Sequence, residues 1–305
     1  MSTAAIDLSR LPAPAVVETL DYETILAARQ AYLLSLWPEA ERPALAARLA
    51  LESEPLTKLL QENAYRELIL RARINEAARA VMLAHATGSD LDQIGANYRV
   101  YRLLVDEGDS LAVPPRAPVY ESDADFRRRI QLSPEGYTTA GSEQSYVFHG
   151  LSADGDVADI SAVSPRPGAV TVYVLSRSGD GAASEALLAA VTQALNAETV
   201  RPMTDQVTVQ SASIVTYSIS AELVLLPGPD SALVHAAALA AIQAYATAQH
   251  AMRRDVTLSG IYAALHQPGV QRVELAAPTA NLVIGDGEAS YCTGIALTVA
   301  GETDV

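Results

Sequence analysis

From residue 55 to residue 87, apolar side chains recur close to every 3.6 positions: Leu56, Leu59, Leu60, Ala64, Leu68, Ile74, Ala78, Val81 and Met82. That period sets them along one side of an α-helix, because each helical residue turns by about 100°. Pro55 falls in the first turn, where its missing N–H costs little, and Gly88 is placed to close the helix in a left-handed cap. Glu62/Arg66 and Glu67/Arg71 are i,i+4 pairs with the acid first, the favourable order. A continuous helix over this stretch is about 50 Å long at 1.5 Å per residue. That is long for a helix serving one small domain, and on its periodicity it can equally enter a multi-chain bundle. Leu56, Leu59, Leu60, Leu68, Ile74, Val81 and Met82 are the candidate partner interface. The alternative is that the helix packs on its own domain.

The flanking sequence sets the fold class: α+β and multidomain, an all-helical amino-terminal region followed by mixed α/β middle and carboxyl-terminal domains. Before the long helix, 21–36 carries Ile25, Leu26, Tyr32 and Leu33 at helical spacing until Trp37-Pro38, and a short helix follows Pro43. After it, Ser89-Asp-Leu-Asp92 reads as a capping box. Asp106-Glu-Gly-Asp-Ser and Val113-Pro-Pro-Arg-Ala-Pro118 read as a proline-stiffened linker, and Ser122 caps one more short helix. Strand-like runs at 157–163 and 169–175 flank a turn at Pro165-Arg-Pro-Gly168. A helix over 184–196, a long β-rich region over 206–226, an alanine-rich helix from Ser231 to about residue 251, a short helix near 259–265 and strands at 270–275 and 292–299 complete the chain. The expected domains are 1–113, 114–212 and 213–305.

Composition excludes several functions. Lys+Arg at 21 against Asp+Glu at 36 leaves a net charge of −15, which opposes a phosphate backbone, so nucleic acid is not an expected partner. The acidity is concentrated after residue 115: 11 basic against 16 acidic residues precede that point and 10 against 20 follow it. Cys292 is the single cysteine, which excludes a disulfide framework or thiolate zinc cluster within the chain. The first seven residues lack a signal pattern, and His235 and Gln243 interrupt the most apolar later stretch, so no membrane span is expected.

A search for chemistry returns no catalytic, cofactor-binding or metal-binding set. There is no Gly-x-Ser-x-Gly, His-Glu-x-x-His or Walker loop, and no two of the five histidines stand at i,i+3 or i,i+4. Gly285-Asp-Gly287 is a turn, since strand-like residues follow where a phosphate-binding helix would start. Asp154, Asp156 and Asp159 lack EF-hand spacing. Arg127-Arg-Arg129 reads as ion-pairing surface or interface, and Cys292 as a buried inert thiol.

Several segments resemble, in order along nearly the whole chain, the baseplate J-like proteins of contractile phage tails. They are Leu20-Asp-Tyr-Glu23, Ala64-Tyr-Arg-Glu-Leu-Ile-Leu-Arg-Ala-Arg-Ile-Asn75 and Ala84-His-Ala-Thr-Gly-Ser-Asp-Leu-Asp92 in the first part. Glu121-Ser-Asp-Ala-Asp-Phe-Arg-Arg-Arg-Ile130 and Val200-Arg-Pro-Met-Thr-Asp-Gln-Val-Thr-Val209 follow, then Arg254-Asp-Val-Thr-Leu-Ser-Gly-Ile-Tyr-Ala-Ala-Leu265 and Pro268-Gly-Val-Gln-Arg-Val-Glu-Leu275. The resemblance implies a structural, non-enzymatic baseplate wedge subunit of a myovirus or tailocin. Its implied partners are a second copy of itself, a smaller I-like wedge protein and a W-like lysozyme-fold baseplate protein, with sheath and tube or hub contacts. It implies assembly in the bacterial cytoplasm into a six-fold particle. An assembly chaperone absent from the particle, and an enzyme using dispersed residues such as Asp154, Asp156 and His149, are the competing readings.

Overall fold

The computed structural model describes residues 6, 8, 11, 12, 14–138, 141–228 and 230–300; most of the first seven residues and Pro229 of the turn after the long β-rich region lie outside these. The chain divides into two compact units, Met1–Tyr101 and Arg102–Val305.

The first unit is helical: α1 (Tyr22–Ser35), α2 (Arg42–Leu49), α3 (Pro55–Ala80) and α4 (Gly88–Asn97). Asp21 caps α1, its carboxylate accepting the Thr24 N–H at 2.9 Å. Ile25, Leu26, Leu45, Leu49, Leu60 and Ala64 form the core, with Leu56 and Leu68 packed against it. Leu56, Leu60, Ala64 and Leu68 are four apart, so one stripe of α3 serves its own domain. Farther along, buried Asn75 pins the lead-in, donating to the Glu18 carbonyl at 2.9 Å and accepting the Glu18 N–H at 3.1 Å.

The long helix is shorter than its periodicity predicts. It stops at Ala80 after 26 residues, or about 39 Å, instead of running to 87. Val81 and Met82 therefore lie beyond it, in tight turns where the Met82 N–H reaches the Arg79 carbonyl at 3.1 Å and the Ala86 N–H reaches the Met82 carbonyl at 2.8 Å. Burial of Ala86 and Leu91 draws the chain back into the unit, and Gly88, with φ +52°, opens α4 rather than closing α3. Thr87 takes the cap position of α4, so the box expected from Ser89 does not form.

In the second unit the expected linker is a folded hairpin. β1 (Leu104–Asp106) pairs antiparallel with β2 (Val119–Tyr120), and Asp109 bridges Arg116. At its turn Gly108 has φ +71°, and a Cβ there would meet the Arg116 carbonyl oxygen at 2.4 Å, so only glycine fits. The unit boundary at Tyr101 consequently precedes the expected one at 113.

Two sheets follow. After α5 (Asp123–Leu132) and α6 (Glu143–Leu151), β3 (Val157–Arg166) turns into antiparallel β4 (Ala169–Ser176). A crossover through α7 (Glu185–Leu195) then brings β5 (Gln206–Ser211) parallel to β4. The second sheet, in the order β7-β6-β8, comprises β6 (Ser213–Leu225), β7 (Val270–Ala277) and β8 (Glu288–Ala300), with β7 antiparallel and β8 parallel to β6. The β-rich region 206–226 is thus two strands in two sheets. Buried Ala212 is the joint: its N–H bonds the Val174 carbonyl of the first sheet at 2.9 Å, while the Ser213 N–H bonds the Gly287 carbonyl beside the second at 2.9 Å.

Each sheet buries one face under helices. Val172, Val174, Leu187, Val191 and Leu195 lie in the first core, and Ile219, Leu223, Ile242, Ile261 and Leu265 in the second. The second core is roofed by α8 (Ser231–Gln249) and α9 (Leu258–Leu265). Asp230, not Ser231, caps α8, accepting the Ala232 N–H at 2.9 Å. Among the described residues α8 is the one helix long and apolar enough to cross a membrane. It buries Val234, Ala238, Ile242 and Ala246, a stripe at four-residue spacing, over the sheet.

Candidate assembly interface

The polar residues singled out from the sequence are consumed by the fold. Asp154 accepts the Asp156 N–H at 2.9 Å, and Asp156 accepts the Ser176 and Ser178 hydroxyls at 2.7 and 2.8 Å. Asp159 pairs with Arg128 at 2.7 Å and accepts the Met252 N–H at 3.0 Å, tying α5 and β3 to the segment after α8. Burial holds the His149 imidazole below its ordinary pKa of 6.5, favouring the neutral ring. His235 and His250 engage main-chain carbonyls of β8, at Leu297 (3.1 Å) and Ser290 (2.6 Å). Among the described residues no group of three or more His, Cys, Asp or Glu is placed to hold a metal. Cys292 is half-buried, more accessible than expected of a core thiol, because it stands on an edge strand beside a groove.

One buried charge pair was missed. Glu121 and Arg129 are each 4% exposed, and the carboxylate binds the guanidinium through both oxygens. The same carboxylate accepts the Leu103 N–H at 3.0 Å, Arg129 donates to the Ser152 hydroxyl at 3.2 Å, and Arg102 donates to the Glu121 carbonyl at 2.8 Å. The Arg102 guanidinium lies 4.8 Å from the centre of the buried Phe126 ring. The network clamps the first residues of the second unit onto α5. The run Arg127-Arg-Arg129 signals cations, but sequence alone does not reveal which one turns inward.

Exposed apolar surface is the prominent unexplained property. On α3, Leu59 (54%), Leu70 (65%) and Ile74 (61%) are exposed, as are Tyr65 and Ile69 on the adjoining flank. The seven predicted interface residues therefore separate. Leu60 is buried, Leu56 and Leu68 pack on the unit's own core, Leu59 and Ile74 face outward on the helix, and Val81 and Met82 lie past its end, the former exposed and the latter half-buried. The charged ridge between the outward flanks is laced by Arg66–Glu62 and by Arg73–Glu76 at 3.3 Å. Leu70, Tyr65 and Ile69 are residues that a single-seam reading missed. An apolar pattern wider than one stripe was the available signal. Exposed large apolar groups clustered on one helix are the kind of surface that marks contact with other molecules.

Comparison with known proteins gives the family. Models of the baseplate J-like N-terminal, central and C-terminal domains match residues 52–109, 138–211 and 217–298. Baseplate protein J of Escherichia phage P2 is 58% identical over 299 residues, spanning 98% of this chain and 99% of that protein. A cryo-electron microscopy structure of the anti-feeding prophage baseplate, six-fold symmetrised, aligns at TM-score 0.38 and 15% identity over 58% of this chain and 44% of its own, so this chain spans less than half of it. The chain belongs to the baseplate J-like family.

Proposed function

We propose that this protein is a structural, non-enzymatic wedge subunit of a contractile-tail baseplate, which joins neighbours into a six-fold ring and passes the contraction trigger to the sheath by rearrangement of subunits. The observation that carries the reading is the end-to-end identity of 58% to a phage baseplate protein. The outward face of α3, with Leu59, Leu70 and Ile74, supports it, because a soluble monomer gains nothing from a row of exposed large apolar groups. In this reading that face enters a bundle with a second copy, with a smaller I-like wedge protein and with a W-like lysozyme-fold protein, while the carboxyl-terminal sheet domain, 213–305, serves the ring. Sheath and tube or hub contacts follow from that position. Assembly takes place in the host bacterial cytoplasm, and the finished location is the phage or tailocin particle. No cofactor, nucleic acid or membrane span has a part in it.

The two sides of α3 provide the test. Ile74→Glu and Leu70→Glu leave the purified protein folded, because both side chains already face solvent, yet particles carrying them fail to form normal baseplates. Leu60→Glu differs, since it unfolds the first unit by placing a charge in its core, at about 3–5 kcal/mol. Cryo-electron microscopy of wild-type particles locates α3 in a bundle with other chains; particles that lack the protein, or that hold α3 with its outer face in solvent, refute the proposal.

A further inference from the structure

The two sheets of the second unit are held to each other by less than holds either of them together. The chain passes from one to the other once, at Ala212. Apart from the two large cores, a small apolar cluster lies between the sheets: Leu175 of β4, Ala212, Met252 and Ala289 of β8, with Tyr173 and Ile214 packed against it. Two glycines permit the approach. A Cβ at Gly287 would stand 2.6 Å from the Tyr173 ring, and one at Gly181 would stand 2.9 Å from the His250 ring. The polar contacts across this joint converge on the segment after α8. Met252 and Arg253 belong to the second sheet, since Met252 bridges Ala289 and the Arg253 N–H donates to the Glu288 carbonyl at 3.2 Å. From there they reach the first. The Met252 N–H donates to the Asp159 carboxylate of β3 at 3.0 Å, and the Arg253 guanidinium pairs with Glu143 of α6 at 3.0 Å. Its second pair, with Asp286 at 2.9 Å, stays within the second sheet and its loop. Arg253 has φ +60°, a left-handed conformation that a residue with a side chain keeps only where its surroundings enforce it.

We propose that this joint is a hinge with a clasp: the two sheets turn against each other about Ala212, and residues 250–254 stay on the second sheet while they let go of Asp159 and Glu143 on the first. Opening leaves both large cores intact, because each is closed by its own helices, so the motion gives up only the small cluster and the clasp. The clasp itself is weak by construction. The Arg253–Glu143 pair is exposed on both sides, where an ion pair contributes little, and the left-handed backbone at Arg253 favours release. The pivot is fixed by hydrogen bonds on either side of it, from the Ala212 N–H to Val174 in the first sheet and from the Ser213 N–H to Gly287 beside the second. That a contracting tail uses this motion rests on the wedge reading; the opening of the joint does not.

Amide hydrogen exchange of the full-length protein, resolved by residue with NMR, provides the test. Met252, bonded across the joint, exchanges through the opening at least about a hundredfold faster than Val174 and Leu223, which lie in the two cores. Glu143→Gln removes the ion pair that crosses the joint and speeds exchange at Met252 about two- to fivefold, whereas Asp286→Asn removes the pair within the second sheet and leaves it unchanged. Single-molecule energy transfer at picomolar concentration, where copies do not meet, follows the turn itself. Dyes on Ser164→Cys and Thr298→Cys, exposed positions on the first and second sheets, are placed in the Cys292→Ser chain. They report a second transfer efficiency whose population rises with Glu143→Gln and rises further with Gly287→Ala, whose methyl crowds Tyr173. Exchange at Met252 no faster than in the cores, a rate indifferent to Glu143→Gln, or one transfer efficiency in every variant overturns the hinge. If those failures occur while particles still contain the protein, the wedge assignment stands and only this inference falls; absence from particles is the separate failure of the wedge assignment.

Discussion

Removing the carboxylate of Glu121 tests whether the buried pair holds the second unit together. Glu121→Ala takes the paired carboxylate from the Arg129 guanidinium, whose side chain is 5% exposed and which also meets the Ser152 hydroxyl and the Phe126 ring. It also removes the acceptor of the Leu103 N–H. Breaking a buried ion pair from one side costs about 3–5 kcal/mol, because the surviving buried charge loses its closest counter-charge, and the loss of the acceptor for the Leu103 N–H adds about 1 kcal/mol. For a unit the size of Arg102–Val305 the pair alone lowers the melting temperature by about 6–20 °C. Calorimetry measures it. The single tryptophan, Trp37, lies in the first unit, so its fluorescence separates that unit's transition from the one under test. Replacing both partners with apolar groups, Glu121→Leu with Arg129→Met, recovers most of the loss, since no charge is then stranded. A single variant that loses under about 1 kcal/mol, or a double variant no better than the single, refutes the reasoning.

Two further outcomes follow from buried and paired groups. The Tyr217 hydroxyl is buried in the second core without a hydrogen-bond partner among the described residues, and burial pushes its pKa well above 10.0, so Tyr217→Phe leaves stability unchanged or raises it by about 1 kcal/mol in denaturant unfolding; a loss of that size means the hydroxyl has a partner after all. Hydrogen bonds from Arg71 and then Arg29 hold Glu67 below its ordinary 4.5, so its stabilising effect on the first unit is present above 4.5 and is lost as pH falls through the lowered folded value; Arg71→Ala moves the Glu67 midpoint in an NMR titration upward, and an unmoved midpoint removes Arg71 as the cause.

Helices and strands were readable where short-range chemistry decides them. Ser122 caps the helix it precedes, helices begin close to Asp21 and Ser184, and the turn at 165–168 joins β3 to β4. The mistakes cluster where distant residues outvote local pattern. The helical period continues past Ala80, but burial of Ala86 and Leu91 turns the chain there. The prolines between 113 and 118 suggest a linker, but pairing of Asp109 with Arg116 folds the segment back. The interface on α3 was legible only as an excess of apolar positions, because Leu59 and Leu60 look alike in sequence and the neighbouring helices α1 and α2 determine which one is covered.

By itself the sequence determined the family, the α+β class, the acidic balance and the lack of a recognised catalytic motif, since these depend on residue identity and near spacing. Only the tertiary structure decided that Arg129 rather than Arg127 or Arg128 is the buried cation, that 206–226 divides between two sheets at Ala212, and that β8 is an edge of its sheet. Each of those outcomes depends on which surfaces meet after the chain has turned many times, and burial, unlike periodicity, is a property of the pair of surfaces in contact.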